Sequence, residues 1–227
     1  MHAAVITFPG TNRDGDVARA LKQAGAKVTH AWHADYDLPK GTDLVVLPGG
    51  FAYGDYMRTG AIAARAHIMD AVRAHAAKGG YVLGICNGFQ IACEAGLLPG
   101  ILMRNAGLKF VCRMQHLRVE RNDTAYASAY VARQVIKVCI AHGEGNYICD
   151  DETLKKLEGE ARVAFRYCDA SGDITKDNPN GSLNAIAGIY SENLRVLGMM
   201  PHPENLIEAL VGGTDGKGLF ASLGKAA

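Results

Sequence analysis

The stretch Tyr81–Gln90 reads YVLGICNGFQ and is the most informative run in this chain of 227 residues. Its first half, Tyr81–Ile85, is apolar and favours a β-strand, and a helix-like segment, Phe89–Ala95, follows. Between them lies Gly-x-Cys-x-Gly, the pattern of a nucleophile elbow, in which a tight strand-to-helix turn projects one side chain from the top of a sheet. Glycines are needed because the strained turn leaves no room for a Cβ atom on either side. The stretch predicts Cys86 at the end of a strand.

Cys86 is the candidate nucleophile. At the start of the following helix it would lie beside unpaired N–H groups and the positive end of the helix dipole, and both favour the thiolate form. The pattern alone leaves a second interpretation open, a buried cysteine between two turn glycines, because short motifs match by chance often. A partner base elsewhere in the chain is needed to decide.

A candidate base lies late in the chain, in Met199–Glu204, after the apolar run Leu194–Gly198. Residues that precede proline avoid the α region, so His202 is expected in an extended segment, where side chains two residues apart point to the same side. Glu204 would then orient the His202 ring and stabilise the imidazolium that a thiol nucleophile requires. A solvated, proline-rich loop explains this segment better when it is taken alone. Together with the elbow, it predicts a triad of Cys86, His202 and Glu204.

The composition is that of an ordinary globular protein, with 48% hydrophobic and 21% charged residues. A formal net charge of +1 gives no reason to expect nucleic acid or a membrane surface as a partner. The N-terminus lacks a basic segment, and Val5–Phe8 is too short for a signal sequence or a membrane span. The six cysteines form no C-x-x-C pair and are typical of reduced core cysteines in a cytoplasmic protein, rather than of disulfides or a zinc site.

Strand-like and helix-like segments alternate in the first half of the chain, and the second half is richer in strands. This order predicts an α/β fold: a single-domain, flavodoxin-like open sheet over residues 1–227, mostly parallel, with helices on both faces and its sites beyond the carboxyl ends of the strands. The expected helices are Asp14–Ala24 and Ala61–Ala77. The expected strands are Ala3–Phe8, Lys27–Trp32, Leu44–Leu47, Tyr81–Ile85, Phe110–Val119, Val135–Ile140, Arg162–Tyr167, Ala185–Tyr190 and Arg195–Met199.

Attack of a thiol on an amide produces an oxyanion, which needs two N–H donors. The elbow supplies one, the backbone N–H of Asn87. The loop Gly49-Gly50-Phe51 at the third strand end is the candidate for the other, since Gly50 allows close backbone approach, although an ordinary turn would also explain it. A further loop of small residues, Ala141–Gly145, could bind substrate through its main chain. His142 within it is equally well explained as a hydrogen-bonded residue of the rim.

Two other runs have less certain roles. Tyr53–Arg58 suits either a contact surface, since tyrosine and arginine anchor interfaces, or a well-packed loop. Asp177–Ser182 predicts a turn, as in a hairpin before the strand that begins at Ala185. The chain has no Gly-x-x-x-x-Gly-Lys-[Ser/Thr] motif, so nothing in it suggests that it binds ATP.

With these residues in place, the chain resembles the class I (triad) glutamine amidotransferases over nearly its whole length. Gly84–Gln90 and Gly198–Glu204 carry the resemblance to the class as a whole. Phe8–Asn12, Gly49–Tyr56 and Asn178–Ser182 are similar to one branch, whose members supply ammonia for the synthesis of formylglycinamidine ribonucleotide in purine biosynthesis. The resemblance implies the fold of that class.

The resemblance also implies a reaction. Cys86 would attack the side-chain amide of glutamine, while His202 acts as a base and then as an acid toward the leaving ammonia. Water would then hydrolyse the glutamyl thioester. The positions that match substrate-side residues of the class are Gly50 and Asn87 as oxyanion donors, Gln90 as a side-chain contact and Gly143 as a main-chain contact to glutamine.

Partners are implied by the same resemblance. Ammonia would pass to a large synthetase subunit that holds ATP and magnesium, and a small bridging subunit would complete the complex. The chain itself would need no cofactor and no metal. Arg13 and Thr59 stand where cysteine is common in the family, which puts only details of the interface in doubt, since neither is expected to touch the triad. Gly107–Tyr130 gives no functional signal.

Three rival functions stay open at this point. One is another amidotransferase of the class, feeding the synthesis of GMP, CTP or pyridoxal phosphate, against which the Tyr53–Tyr56 and Asn178–Ser182 runs argue. The second is a cysteine peptidase or γ-glutamyl hydrolase on a similar fold. The third is a catalytically silent binding subunit, which would have no need of all three triad residues.

Overall fold

The computed structural model describes residues 1–225, in which eleven strands and five α-helices form. The strands are β1 (His2–Thr7), β2 (Lys27–Trp32), β3 (Leu44–Leu47), β4 (Tyr81–Ile85), β5 (Ile101–Met103), β6 (Val111–Val119), β7 (Val135–His142), β8 (Asn146–Ile148), β9 (Val163–Cys168), β10 (Ile186–Tyr190) and β11 (Val196–Met199). The helices are α1 (Asp14–Gln23), α2 (Ile68–Ala77), α3 (Asn87–Glu94), α4 (Asp151–Gly159) and α5 (Lys217–Lys225).

One open sheet of nine strands, in the order β2-β1-β3-β4-β11-β10-β9-β6-β7, forms the centre of the molecule. The first five strands in this order run parallel to one another, and the other four continue the sheet by antiparallel pairing. Strands β5 and β8 form a separate antiparallel pair. The predicted α/β open sheet is confirmed. Its parallel strands place the ends of β1, β3, β4 and β11 at one edge.

Helices lie on both faces of the parallel strands. Strand β1 connects through α1 to β2, toward one edge of the sheet. Strand β3 connects through α2 to β4, toward the other edge. Because such crossovers are right-handed, α1 and α2 lie on opposite faces. Helix α3 packs against β3, β4 and β11, whereas α1 packs against β1, β2 and α5. No helix within residues 1–225 is long and apolar enough to cross a membrane.

The predicted helix Ala61–Ala77 is wrong in its first half. A short 3₁₀ turn forms at Ala63–Arg65, Ala66 takes an extended backbone with ψ of 150°, and α2 begins only at Ile68. The N–H of Ile68 donates to the carbonyl of His33 at 3.3 Å instead of continuing a helix. An alanine-rich sequence contains no residue that signals such a break, because the competing acceptor comes from a distant loop.

The elbow depends on two close backbone approaches that only glycine permits. A Cβ atom at Gly88 would lie 1.8 Å from the carbonyl oxygen of Leu47 in β3. At Gly84 it would lie 2.6 Å from the carbonyl oxygen of Gly88. Helix α3 therefore begins in direct backbone contact with the sheet, as the Gly-x-Cys-x-Gly pattern predicts.

Gly88→Ala should destabilise the protein by about 3 kcal/mol or more, since backbone atoms on both sides must move to admit a methyl group. Gly159→Ala is the matched control, because a Cβ atom there meets nothing within 4 Å. This change lies at the end of α4 and should leave stability within about 1 kcal/mol of the wild type. Denaturant unfolding of both variants measures the difference. Equal stability of the two would contradict the close approach.

Candidate active site

Cys86 lies between β4 and α3 in a strained backbone conformation. Its φ is 52° and its ψ is −107°, a region that costs a non-glycine residue of order 1–3 kcal/mol. The surroundings hold it there, because its N–H donates to the carbonyl of Met199 at 2.7 Å and its carbonyl accepts from Phe89 and Gln90. The strain turns the Sγ atom toward a cavity of about 320 Å³ at the carboxyl edge of the sheet, where it lies 3.9 Å from the Ala141 carbonyl oxygen.

His202 lies in the wall of the same cavity, and Glu204 lies behind it. The ring Nδ1 and the Glu204 Oε1 atom are 2.7 Å apart, and both side chains are almost completely buried. A Cβ atom at Gly49 would come within 2.9 Å of the ring, so this glycine lets His202 pack against the end of β3. Burial alone would lower the pKa of His202, but the Glu204 carboxylate and the neighbouring Cys86 outweigh it and raise that pKa well above its usual value.

The His202–Glu204 pair forms, but not by the predicted geometry. Pro203–Asn205 is a 3₁₀ turn rather than an extended segment, so the two side chains do not meet through strand alternation. The His202 N–H instead donates to the Cys139 carbonyl at 2.9 Å, which attaches the turn to β7. Proline at the first position of the turn suits this conformation, because its fixed φ is helical.

Two backbone N–H groups are free at the positions predicted for oxyanion donors. Within residues 1–225, no acceptor lies within hydrogen-bond reach of the N–H of Gly50 or that of Asn87. Gly50 has a φ of 155°, and a Cβ atom there would lie 2.7 Å from the Gly10 carbonyl oxygen. The Asn87 Oδ1 atom accepts from the Ala52 N–H at 3.1 Å, so the elbow and the loop after β3 hold one another in place.

Gln90 continues these contacts to the opposite wall of the cavity. Its Oε1 atom accepts from the Asn87 side chain at 3.0 Å, and its Nε2 atom donates to the Glu144 carbonyl at 2.6 Å. Glu144 also accepts a hydrogen bond from the Thr59 hydroxyl through its carboxylate. Desolvation at the cavity wall and the charge of Glu144 raise the pKa of Asp55 to about 6, although Asp55 as a whole residue is exposed.

The structure brings most of the predicted site residues to one cavity. Its wall includes Cys86, His202, Gly50, Gln90 and Gly143, while Glu204 and Asn87 contact these residues from outside the wall. Sequence reasoning gave no site role to Asn12, Asp55 or Phe110 in the wall, and Arg13 and Thr59 lie closer to the site than it suggested. The remaining wall residues are Asn12, Phe51, Asp55, Phe110, Ala141, His142 and Glu144. Within the described part of the chain, no group of side chains is arranged to hold a metal ion.

The loop predicted as a contact surface or a packed segment is held by side-chain contacts at both ends. Tyr53 is anchored by a 2.7 Å hydrogen bond between its hydroxyl and His33 Nδ1, and Arg58 makes a bidentate ion pair with Glu94. Tyr56 between them is 74% exposed. The other predicted turn, Asp177–Ser182, lies in the long loop between the antiparallel strands β9 and β10 and is not a tight hairpin.

His142 is buried, not a residue of the rim. Only 3% of it is exposed, and its Nδ1 atom lies 3.3 Å from Asn105 Oδ1. Burial, together with the nearby His202, lowers the pKa of His142 to about 4. The folded protein therefore holds this imidazole neutral at pH values where the unfolded chain would protonate it.

The pKa of His142 predicts a loss of stability in acid. Because its folded value, about 4, is below the ordinary value of 6.5, the unfolded state binds the extra proton as pH falls from 6.5 to 4, and about 3 kcal/mol of stability is lost. His142→Gln lacks this loss. As pH falls from 6.5 to 4, the unfolding free energy of the wild type should therefore fall by about that amount more than that of the variant. A difference independent of pH would contradict the assignment.

Comparison with known proteins shows the family of this chain. The model of the CobB/CobQ-like glutamine amidotransferase domain matches residues 1–213. The phosphoribosylformylglycinamidine synthase subunit PurQ of Rhodopseudomonas palustris strain BisB18 is 63% identical over 225 residues, which cover 98% of this chain and 97% of that protein.

Two solved structures also match this chain, one in both sequence and fold and the other in fold alone. A chain in the structure of PurLQS from Thermotoga maritima matches with a TM-score of 0.88 and 39% identity, covering 99% of this chain and 98% of that one. The glutaminase domain of Trypanosoma brucei CTPS matches with a TM-score of 0.63 over 100% of this chain and 94% of that one, but at 13% identity it shows the fold alone. The chain belongs to the CobB/CobQ-like glutamine amidotransferase family and, within it, to the PurQ subunits of phosphoribosylformylglycinamidine synthase.

Proposed function

We propose that this chain is the glutaminase subunit of phosphoribosylformylglycinamidine synthase, which releases ammonia from glutamine through Cys86, His202 and Glu204. The observation that carries the proposal is the pairing of Cys86 and His202 in the wall of one cavity, with the His202 ring held by Glu204 at 2.7 Å. Full-length similarity to PurQ proteins supports the choice of complex.

The reaction begins at Cys86. Its sulfur attacks the carboxamide carbon of glutamine, and the carbonyl oxygen takes up negative charge as the tetrahedral intermediate forms. The free N–H groups of Gly50 and Asn87 donate hydrogen bonds to this oxyanion and stabilise its charge. Because the Asn87 side chain bonds Ala52, the two donors keep a fixed separation and need no rearrangement during the reaction.

His202 acts as the general base and the general acid. Glu204 accepts from Nδ1, which leaves the other ring nitrogen as the one that exchanges protons with Cys86 and with the leaving group. The raised pKa of His202 favours its imidazolium form beside a thiolate. The imidazolium is the form that can protonate the departing nitrogen. Ammonia leaves, and water activated by His202 then hydrolyses the glutamyl thioester to glutamate.

The amino-acid end of glutamine lies at the opposite wall. Gln90 holds the Glu144 carbonyl at 2.6 Å, and Gly143 offers its main chain to the substrate. The carboxylates of Glu144 and Asp55 on this wall suit the α-ammonium group of glutamine, since a cation offsets the desolvation and the repulsion by Glu144 that together raise the pKa of Asp55.

The proposal includes partners. Ammonia passes to the large synthetase subunit, where ATP and magnesium drive the formation of formylglycinamidine ribonucleotide, and a small bridging subunit completes the complex. The matched chain in the Thermotoga maritima PurLQS structure supports this assembly. The chain itself works as one domain without a cofactor or metal, in the cytoplasm.

The rival functions have less support. The likeness to a CTPS glutaminase domain is one of fold, at 13% identity, while identity to PurQ proteins reaches 63% over the whole chain. A peptidase or a γ-glutamyl hydrolase must admit a long substrate. The cavity of about 320 Å³ instead suits a single amino acid.

A diazo-ketone analogue of glutamine should label Cys86 selectively in the presence of the synthetase partner. Excess glutamine should block the labelling, and His202→Ala should abolish it, because the analogue needs both the cavity and the base. Peptide mass spectrometry locates the adduct. Cys112, an exposed thiol, is the internal control and should stay unmodified. No adduct on Cys86 in the assembled complex would refute the proposed function.

Cys86→Ser should separate the two activities of the complex. Glutamine-dependent synthesis of the amidine should fall about a thousandfold or more, while synthesis from added ammonium salt should be unchanged, since only the ammonia source is removed. Cys112→Ser is the matched control and should retain both activities. Parallel loss of both in Cys86→Ser would mean that the change damages the assembly rather than the chemistry.

A further inference from the structure

We propose that Asn105 is a positioning residue that aims the backbone N–H groups of Gly143 and Glu144 at the α-carboxylate of glutamine. The inference rests on the proposed function and deepens it. Asn105 does not line the cavity, and no sequence motif pointed to it. It is 1% exposed, and it contacts three consecutive peptide groups of the loop after β7.

The side chain of Asn105 makes most of these contacts, and its backbone makes one. Its Nδ2 atom donates to the His142 carbonyl at 2.9 Å, and its Oδ1 atom accepts from the Gly145 N–H at 3.0 Å. Its own backbone N–H donates to the Gly143 carbonyl at 2.9 Å. Its second amide hydrogen bonds the Lys109 carbonyl at 2.8 Å, so every group of the side chain has a partner.

These contacts fix the direction of two N–H groups. In a planar trans peptide, the C=O of one residue and the N–H of the next point in opposite directions. Asn105 holds the carbonyls of His142 and Gly143, so the N–H groups of Gly143 and Glu144 point away from it. Neither of these two N–H groups has an acceptor within residues 1–225, and both residues line the cavity.

The rest of the loop is held by other residues. Gln90 fixes the Glu144 carbonyl at 2.6 Å. The Gly145 carbonyl accepts from Asn180 Nδ2 at 2.8 Å and from Ser182 Oγ at 3.1 Å. Asn180 and Ser182 come from the Asn-Pro-Asn-Gly-Ser run, whose buried polar groups therefore support this loop rather than form a simple turn.

Two adjacent, preorganised N–H groups form a small anion site. The same wall carries the carboxylates of Glu144 and Asp55, which favour a cation beside the anion. The zwitterionic end of an amino acid meets both demands, because its carboxylate reaches the N–H pair while its ammonium reaches the carboxylates. The site thus selects free glutamine over a glutamine whose carboxyl is amidated or in a peptide bond.

Asn105→Asp tests the inference, because it keeps the Oδ1 acceptor and replaces the amide donor. In the assembled complex, the KM for glutamine should rise about tenfold or more, as expected for weakened hydrogen bonds to a charged group. The kcat and the rate of Cys86 alkylation by iodoacetamide should stay within about twofold of wild type. Asn122→Asp is the matched control: its amide also donates to a backbone carbonyl, that of Tyr130, away from the cavity.

A second measurement compares two substrates, and its wild-type arm does not depend on the variant folding. The wild type should prefer glutamine over its α-amide by about tenfold or more in kcat/KM, and Asn105→Asp should lose most of that preference. Equal use of both substrates by the wild type would overturn the inference, as would an unchanged KM in the variant, or a parallel fall of kcat and alkylation. If the wild type hydrolysed no glutamine in the complex, the proposed function itself would fail.

Discussion

The site depends on the contact between the first turn of α3 and the end of β3. Gly88 sits so close to the Leu47 carbonyl oxygen that a single added carbon would collide with it. This contact sets the depth of the helix against the sheet, and the left-handed backbone of Cys86 follows, because the chain must reverse within one residue. Asn87 and Gln90 come from the same turn, so their contacts to the neighbouring loops inherit its position.

The sequence predicted more of the fold than of the cavity wall. The nine strands of the main sheet were expected within one or two residues of their observed ends, since apolar runs bounded by turns are a local signal. The break before Ile68 was missed because its cause is a carbonyl in a distant loop. The candidate triad was predicted from two motifs, and the expected geometry of His202 and Glu204 was wrong, since proline favours the start of a 3₁₀ turn as well as an extended chain.

Some residues at or behind the cavity wall belong to no recognisable sequence motif. Asn105 resembles any loop asparagine in the sequence, and only the fold shows that its side chain meets the loop after β7. Phe110 belongs to the segment that carried no functional signal, but it lines the cavity because β6 pairs with β7 in the register that opposes Val111 to His142. Long-range strand register decides the position of Phe110, and a single sequence does not encode it locally.

The place of β11 in the sheet has a consequence for biosynthesis. It is the last strand of the described chain to be made, yet it lies at the centre of the sheet, between β4 and β10. Until the ribosome has released it, those two strands have exposed edges, and the segment that carries His202 has no support. A partly made chain therefore cannot hydrolyse glutamine, and it presents unpaired edges to which other chains can add.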